Sequence, residues 1–167
     1  MTDSIYVLGP GGASFQARVM KPAMFRVYTL VKMPVLGVTG TTLRALDLAR
    51  CEAVLPYCWT SKNMFGAMTS GAVLAAAQVS SACLWVINIR NQGASLTPVP
   101  VSVTVESEQL IKEELTFVCL EGDRYPEAVA RATKGESVEE EMAVEGMNAR
   151  GQVVCTVRLK WRLDPKS

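Results

Sequence analysis

The chain has one long stretch without any charged residue, which occupies the positions between Lys62 and Arg90. Its length would allow a helix to cross a bilayer. However, Gln78 and several hydroxyl side chains interrupt it, and Ala and Gly outnumber Leu, Ile and Phe. We therefore predict one helix near residues 71–88 that is buried inside the domain on most sides. A membrane span is the less favoured alternative.

The segment before Pro34 predicts two helices. Apolar residues recur at steps of three and four from Ser14 to Met33, and Pro22 suits the first turn of the second helix. Gly9–Gly12 predicts a loop before them. One face of the second helix is apolar and is expected to pack on the domain. A membrane-surface role is the alternative, although Arg18, Lys21, Arg26 and Lys32 are too sparse to argue for it strongly. That face consists of Met24, Val27, Tyr28 and Val31.

Strand patterns lie on both sides of the predicted long helix. Val35–Leu46 and Glu52–Trp59 are predicted as strands around a polar connection. After the helix, apolar and polar residues alternate, which is typical of a half-buried strand. Its apolar positions are Val99, Val101, Val103 and Val105. Leu115–Leu120 is apolar on both faces and predicts a central strand. Pro126–Lys134 predicts a short helix, with Gly135 just beyond its end.

The C-terminal segment predicts a β-hairpin with its turn at Asn148–Gly151. Apolar and polar residues alternate along both of its strands. In the predicted register Ala143 lies opposite Val154, and Glu139 lies opposite Arg158. This pairing brings together the apolar interruptions of the two polar faces and places an acid opposite a base.

Together these elements predict an α+β fold, in which a long central helix is wrapped by an antiparallel sheet. In this interpretation residues 1–34 form an N-terminal helical extension and residues 35–167 form the main domain. The length of 167 residues and the hydrophobic content of 49% agree with one folded domain.

Charge and composition exclude several kinds of function. Lys and Arg total 17 while Asp and Glu total 16, so the basic excess typical of nucleic-acid-binding proteins is missing. The sequence contains no histidine, which excludes Ser-His-Asp and Cys-His catalysis, a histidine base and His-ligated zinc. The five cysteines show no CxxC spacing and are interpreted as reduced, structural residues, so no metal or other cofactor is predicted. Met1–Ser4 lacks the basic region of a secretory signal, and a cytoplasmic location is expected.

The segment from Asn63 to Gly71 resembles the motif of hotdog-fold thioesterases. In the phenylacetyl-CoA thioesterase type the pattern is Asn-x-x-Gly-x-x-His-Gly-Gly, with an acid fifteen residues after the Asn. Asn63, Gly66 and Gly71 match this pattern. Thr69-Ser70 stands where the family has His-Gly, and Gln78 stands where it has the acid.

A closer likeness is to the uncharacterised, thioesterase-like branch of the same superfamily. That branch has a similar N-terminal helical lead-in, a Lys-Asn-x-Phe-Gly box before an Ala-rich helix, and a closing Gly-x-Val-Val strand. The corresponding segments here are Lys62–Gly66 and Gly151–Val154. The resemblance covers residues 22–163.

The resemblance implies a hotdog fold and a homodimer, or a higher homo-oligomer, that binds acyl-CoA or another acyl thioester at a subunit interface. Backbone N–H groups at the start of the central helix would polarise the thioester carbonyl, and a carboxylate would activate water. It makes Asn63 and Gln78 the catalytic candidates. The ligand-binding candidates are Gly66, Thr69, Ser70 and Gly71.

Gln78 leaves two functional hypotheses open. An amide is not a base, so Gln78 cannot do the work of the family's carboxylate. The first hypothesis is a divergent acyl-CoA hydrolase, in which Glu52 or Asp47 could replace the acid. The second is a non-catalytic hotdog module that binds an acyl ligand or a protein partner. Ser80 and Ser81 have no histidine to activate them and are expected to pack within the helix.

Overall fold

The computed structural model describes residues 3–165, which begin with three short helices. A 3₁₀ turn at Asp3–Tyr6 leads into α1 (Pro10–Val19), α2 (Pro22–Lys32) and α3 (Pro34–Thr39). Each helix has Pro in its first turn, where the missing N–H has no intrahelical partner to lose. The two helices predicted between residues 14 and 33 are therefore confirmed.

The predicted loop at Gly9–Gly12 is wrong, because α1 already begins at Pro10. The reason is close packing against the end of the long helix. A Cβ on Gly11 would lie 2.2 Å from the carbonyl oxygen of Arg90, and a Cβ on Gly12 would lie 2.8 Å from the Asn91 side chain. These glycines let the first turn of α1 lie directly on the neighbouring backbone.

The first predicted strand, Val35–Leu46, is wrong in its N-terminal half. Residues Pro34–Thr39 form α3, and only Thr42–Leu46 forms strand β1. The Thr39 hydroxyl donates to the carbonyl of Val35 at 2.8 Å, and Gly40 ends the helix with a left-handed φ of 74°. Local hydrogen bonding and the Gly cap therefore override the strand preference of this valine-rich run.

The second predicted strand is shorter than Glu52–Trp59. Strand β2 spans Cys51–Leu55, and a 3₁₀ turn follows at Trp59–Ser61. The Ser61 hydroxyl donates to the carbonyl oxygens of Pro56 and Cys58, at 3.0 Å each. These side-chain bonds replace the ladder bonds that a continuing strand would make.

The predicted central helix is confirmed as α4, which spans Ser70–Asn91. It is apolar enough to cross a membrane by length and composition, with a mean hydropathy of 1.7, yet 72% of that window is buried within the fold. The rings of Trp85 on α4 and Tyr125 pack at 4.4 Å between centroids. Burial of this kind makes α4 the core helix of the domain.

In the described part of the chain, six antiparallel strands form one sheet with the order β1-β2-β4-β5-β6-β3. The later strands are β3 (Leu96–Glu106), β4 (Leu115–Cys119), β5 (Val138–Met147) and β6 (Val153–Pro165). The prediction of β4 as an interior, buried strand is confirmed. Helix α5 (Arg124–Thr133) confirms the short helix, and Gly135 follows it with a φ of 91°.

The four valines predicted on one face of β3 do not share a face. The register of β3 against β6 shifts between Pro100 and Ser102, so Val101 is a bulged residue. Beyond this bulge Val103 and Val105 lie opposite buried residues of β6, whereas Val99 lies opposite Arg162. An extra residue reverses the alternation, and the period-two pattern of the sequence cannot show where it is inserted.

The predicted hairpin register is also wrong, although the turn and the facing directions are right. Ala143 lies opposite Arg158, and Glu139 lies opposite Arg162. The turn closes with the Asn148 N–H donating to the Gln152 carbonyl at 3.0 Å, and the register shifts again between Gly146 and Met147. The wider turn and the bulge together move the partner strand by four residues. An even shift keeps every side chain on its predicted face.

The architecture confirms an α+β fold in which an antiparallel sheet wraps a long helix. The N-terminal helices α1 and α3 pack on α4. The division into residues 1–34 and 35–167 stays a prediction. The expected packing of the α2 apolar face is wrong, because Met24, Val27, Tyr28 and Val31 are all exposed.

Candidate functional site

The loop before α4 is organised by Asn63. Its side-chain oxygen accepts hydrogen bonds from the N–H groups of Phe65 at 2.9 Å and Ala67 at 3.1 Å. Its backbone N–H donates to the Ala67 carbonyl at 2.7 Å. Gly66 sits in the middle of this loop with a left-handed φ of 69°. The structure thus gives Asn63 and Gly66 a role in shaping the loop that leads to the start of α4.

The first turn of α4 is open to solvent. Thr69 is the N-cap residue, and its carbonyl accepts from Ala72 at 3.0 Å and from Val73 at 3.2 Å, but its side chain makes no capping bond. The N–H groups of Ser70 and Gly71 have no acceptor within residues 3–165. Apart from its chain neighbours and the backbone of its own helix turns, no atom of the described chain would lie within 4 Å of a Cβ at Gly71. Two donors at the positive end of the helix dipole therefore face an accessible space.

A second segment approaches this turn from the sheet side. The Met68 N–H donates to the Ile111 carbonyl at 2.8 Å, which joins the residues before β4 to the loop before α4. Two residues later, the half-buried Glu113 accepts a hydrogen bond from the Asn148 side chain at 3.3 Å. The sequence analysis missed Glu113, because no spacing along the chain connects it with the motif at Asn63.

Two further polar residues border the loop and were also missed. The Tyr57 hydroxyl donates to the Gly66 carbonyl, and the Lys62 ammonium lies 4.2 Å from the centre of the Tyr57 ring. Such a cation–π contact fixes a charged side chain at the rim of the loop. Lys62 directly precedes Asn63 in the Lys-Asn-x-Phe-Gly box, and this adjacency is the sequence feature that could have identified Lys62.

Gln78 lies two turns further along α4, on the same face as Gly71. Seven residues place the two about 10 Å apart along the axis. Gln78 is half-buried, and its amide makes no hydrogen bond to any residue between 3 and 165. It lines a cavity of about 290 Å³ between α3 and α4. The other lining residues are all apolar, namely Met33, Pro34, Val35, Leu36, Ala75, Val79 and Ala82.

A continuous strip of α4 is left incompletely covered by the rest of the fold. We call it the open face of α4, and it consists of Gly71, Leu74, Ala75, Gln78 and Ala82. These residues recur at steps of three and four, so they share one side of the helix. The structure therefore places the open helix start and the Gln78 cavity on one surface, without direct contact between Gln78 and the loop.

The replacement acids considered from the sequence lie at the wrong end of the helix. Asp47 accepts from the N–H groups of Ala49 and Arg50 in the β1–β2 turn, at 2.7 Å each. That turn meets α4 at Asn88, whose amide donates to the Leu48 carbonyl at 3.0 Å. Asn88 is about 25 Å from Gly71 along the helix. Glu52 is the second residue of β2, next to this same turn, and forms an ion pair with Arg50.

The serines and cysteines of the core do not reach the open face. The Ser80 hydroxyl donates to the Ala77 carbonyl at 2.8 Å, and Ser81 shares a 2.9 Å hydrogen bond with the Tyr125 hydroxyl. All five cysteines are free thiols, and only Cys58 is not buried. Among residues 3–165 no cluster of three or more His, Cys, Asp and Glu side chains could hold a metal ion.

Proteins of known structure show which fold this chain has. The sequence matches no protein-family model and no curated protein. Three similar structures are thioesterase-like. A protein of unknown function from Pseudomonas aeruginosa, described as a probable thioesterase, is 14% identical with a TM-score of 0.73, over 89% of this chain and 99% of that one. A Haemophilus influenzae thioesterase is 12% identical with a TM-score of 0.63, over 83% and 88%.

The third is a thioesterase from Staphylococcus aureus, in a variant form, that is 12% identical with a TM-score of 0.60, over 80% of this chain and 100% of that one. In each case the alignment includes nearly all of the other protein, so the likeness is one of whole folds. The TM-scores of 0.73, 0.63 and 0.60 over these lengths indicate the same overall fold. The chain therefore has the fold of these proteins, the hotdog fold.

Proposed function

We propose that this protein binds an acyl thioester at the start of α4, with acyl-CoA as the carrier. The single observation that carries the proposal is the pair of unbonded N–H groups at Ser70 and Gly71 in an accessible first helical turn. A polarised carbonyl oxygen is the ligand that such donors favour. The Cβ-free position of Gly71 leaves room for that oxygen to approach the backbone.

The acyl chain would extend along the open face of α4 toward the cavity beside Gln78. Leu74 and Ala75 line the path between the two ends, and the cavity wall is apolar apart from the Gln78 amide. A volume of about 290 Å³ suits a short apolar group. At the other end, Lys62 is exposed on the rim of the loop, where its charge suits the phosphates of coenzyme A.

We propose that hydrolysis is slow compared with that of thioesterases that carry an acid in this position. The Gln78 amide can orient a water molecule or a carbonyl, but it cannot accept a proton as a carboxylate does. The presence of Gln78 in place of an acid also favours the second candidate function, a non-catalytic module that holds an acyl ligand. Glu113 lies two residues after Ile111, whose carbonyl accepts from the Met68 N–H of the loop, so the Glu113 carboxylate is our candidate base for any residual turnover.

A homodimer belongs to the same proposal. Strand β3 is an edge strand with exposed Val101 and Val105, and within residues 3–165 its outer backbone groups have no neighbouring strand. Pairing with a second copy would cover this edge. Sedimentation equilibrium at micromolar concentration is expected to give a dimer or larger assembly. A stable species of 18.1 kDa would contradict this part of the proposal.

The free thiols support a reducing compartment such as the cytoplasm.

The binding proposal is tested by calorimetric titration with acyl-CoAs of short, long and aromatic acyl groups. We expect saturable binding that is weakened at least tenfold by Gly71→Val, because the branched side chain would cover the two N–H groups. The unfolding transition of the variant serves as the control for its fold. Absence of binding by the native protein across the whole panel would refute the proposal.

A further inference from the structure

Most of helix α2 is exposed to solvent on the surface of the molecule. Of its residues, only Phe25 and Thr29 are buried. The exposed side chains include Val27 and Val31, at 64% and 71% of their full surface. We call the apolar strip Met24, Val27, Tyr28 and Val31 the α2 stripe. It borders a groove of about 610 Å³ between α1 and α2.

The charge around the α2 stripe is of one sign. The sequence has no acid between Asp3 and Asp47, whereas Arg18, Lys21, Arg26 and Lys32 all lie in this interval. None of these four cations forms an ion pair with a residue of the described chain. Arg18 and Lys32 line the same groove as the stripe, together with Arg90 from the end of α4.

The negative charge is concentrated elsewhere. Most of the acids of the chain lie between Glu106 and Glu145, in β5, α5 and the connections around them. The net charge of +1 therefore combines a segment without acids, residues 4–46, with a segment rich in acids, residues 106–145. In the field of a negatively charged surface, such a molecule would turn its α2 side toward that surface.

We propose that the α2 stripe docks reversibly on the surface of an anionic bilayer. A short helix with an apolar face and only basic charges is the kind that lies in the headgroup region of a membrane. At 11 residues, α2 is too short to span the hydrocarbon core, so it would lie parallel to the surface. The exposed valines would enter the boundary of the acyl chains, and the four cations would face lipid phosphates and carboxylates.

A second copy of the chain is a poorer occupant for this surface. A twofold interface centred on the α2 stripe would bring the same four cations of each copy together without any acid to offset them. The docking proposal is independent of the acyl-thioester proposal, because it uses none of the residues at the start of α4. The two therefore succeed or fail separately.

Co-sedimentation with vesicles tests the docking. We compare vesicles of phosphatidylcholine alone with vesicles that also contain phosphatidylserine, at low and at physiological salt. The stripe variant is Val27→Glu with Val31→Glu, and the charge variant is Lys21→Gln with Lys32→Gln. The matched control is Leu110→Glu with Leu120→Glu, which alters two leucines of similar exposure, 63% and 60%, away from α2. Far-UV circular dichroism checks that each variant folds.

We expect binding to the anionic vesicles only. Each removed lysine should weaken it roughly fivefold, and the stripe variant should abolish it while the leucine control keeps it. The proposal is overturned if the native protein does not bind anionic vesicles at low salt, or if the leucine control loses binding as completely as the stripe variant. It is also overturned if sedimentation velocity shows that the stripe variant converts a native oligomer to a monomer, since a second copy would then cover the stripe.

Discussion

The Met68 N–H donates to the carbonyl of Ile111 at 2.8 Å, across a separation that no sequence pattern indicates. This bond ties the segment before β4 to the loop before α4. It explains why the open first turn of α4 has a carboxylate-bearing segment near it, although the helix itself carries no acid. The bond makes the loop at Asn63, the helix start and the Glu113 segment parts of one structural unit.

The first prediction concerns the loop at Asn63. Asn63→Ala should lower the free energy of unfolding by about 1–3 kcal/mol, because the N–H groups of Phe65 and Ala67 lose their acceptor. Asn63→Asp keeps an acceptor oxygen and should retain most of that stability. Urea unfolding of both variants measures the difference. Equal stability of the alanine variant and the native protein would show that these two bonds are dispensable.

The second prediction compares two glycines. Gly122→Ala should destabilise the protein by about 3 kcal/mol, because its Cβ would lie 1.9 Å from backbone atoms of Ala49. Gly71→Ala meets no atom within 4 Å and should be neutral or slightly stabilising in thermal unfolding. If Gly71→Ala instead lowered the melting temperature as much as Gly122→Ala, the open space at the helix start would be absent in solution.

Much of the fold could be predicted from the sequence because its strongest patterns extend over many residues. The uncharged run that contains Gln78 predicts α4, and the alternation on both sides of Asn148 predicts the hairpin and the faces of its strands. Registers could not be predicted, because bulges at Val101 and beside Gly146 each insert one residue without changing the composition. Helix α3 was missed because Thr39 and Gly40 outweigh the strand preference of two valines.

The candidate site was only partly predictable. The family motif led to Asn63, Gly66 and Gly71, which the structure places around one helix start. Glu113 could not be found from the sequence, since its segment is linked to the loop by the tertiary bond between Met68 and Ile111. Asp47 failed as a candidate acid because nearness along the chain says nothing about which end of the long helix a turn will meet.

The third prediction concerns thiol reactivity. Hydrogen bonding from the Thr60 hydroxyl, followed by that of Ser61, lowers the pKa of the Cys58 thiol, whereas the hydrogen bond to Cys83, with burial, raises the pKa of the Cys51 thiol. At mildly alkaline pH a thiol reagent such as DTNB should therefore modify Cys58 rapidly in the folded protein, and the other four cysteines only after unfolding. Peptide mapping identifies the modified residue. Rapid modification of Cys51 in the native state would contradict the structure.

The fourth prediction concerns alkaline stability. Burial raises the pKa of the Cys155 thiol from 9.0 to about 11. Because folding favours the neutral thiol, the stability that it contributes is complete below pH 9 and is lost as the pH rises through about 11. Urea unfolding of Cys155→Ala across this range should show a shallower loss of stability than the native protein. Parallel pH profiles for the two proteins would contradict the assignment.

The most direct test of the central claim is thioester turnover by Gln78→Glu beside the native protein, across the acyl-CoA panel. Gln109→Glu, which makes the same change at an exposed position, is the matched control. If acyl thioesters occupy the open face of α4, the native protein and the control should turn over slowly, and Gln78→Glu should be faster by up to about 10²–10⁴-fold. Efficient native turnover that Gln78→Ala leaves unchanged would contradict the account and place the chemistry elsewhere.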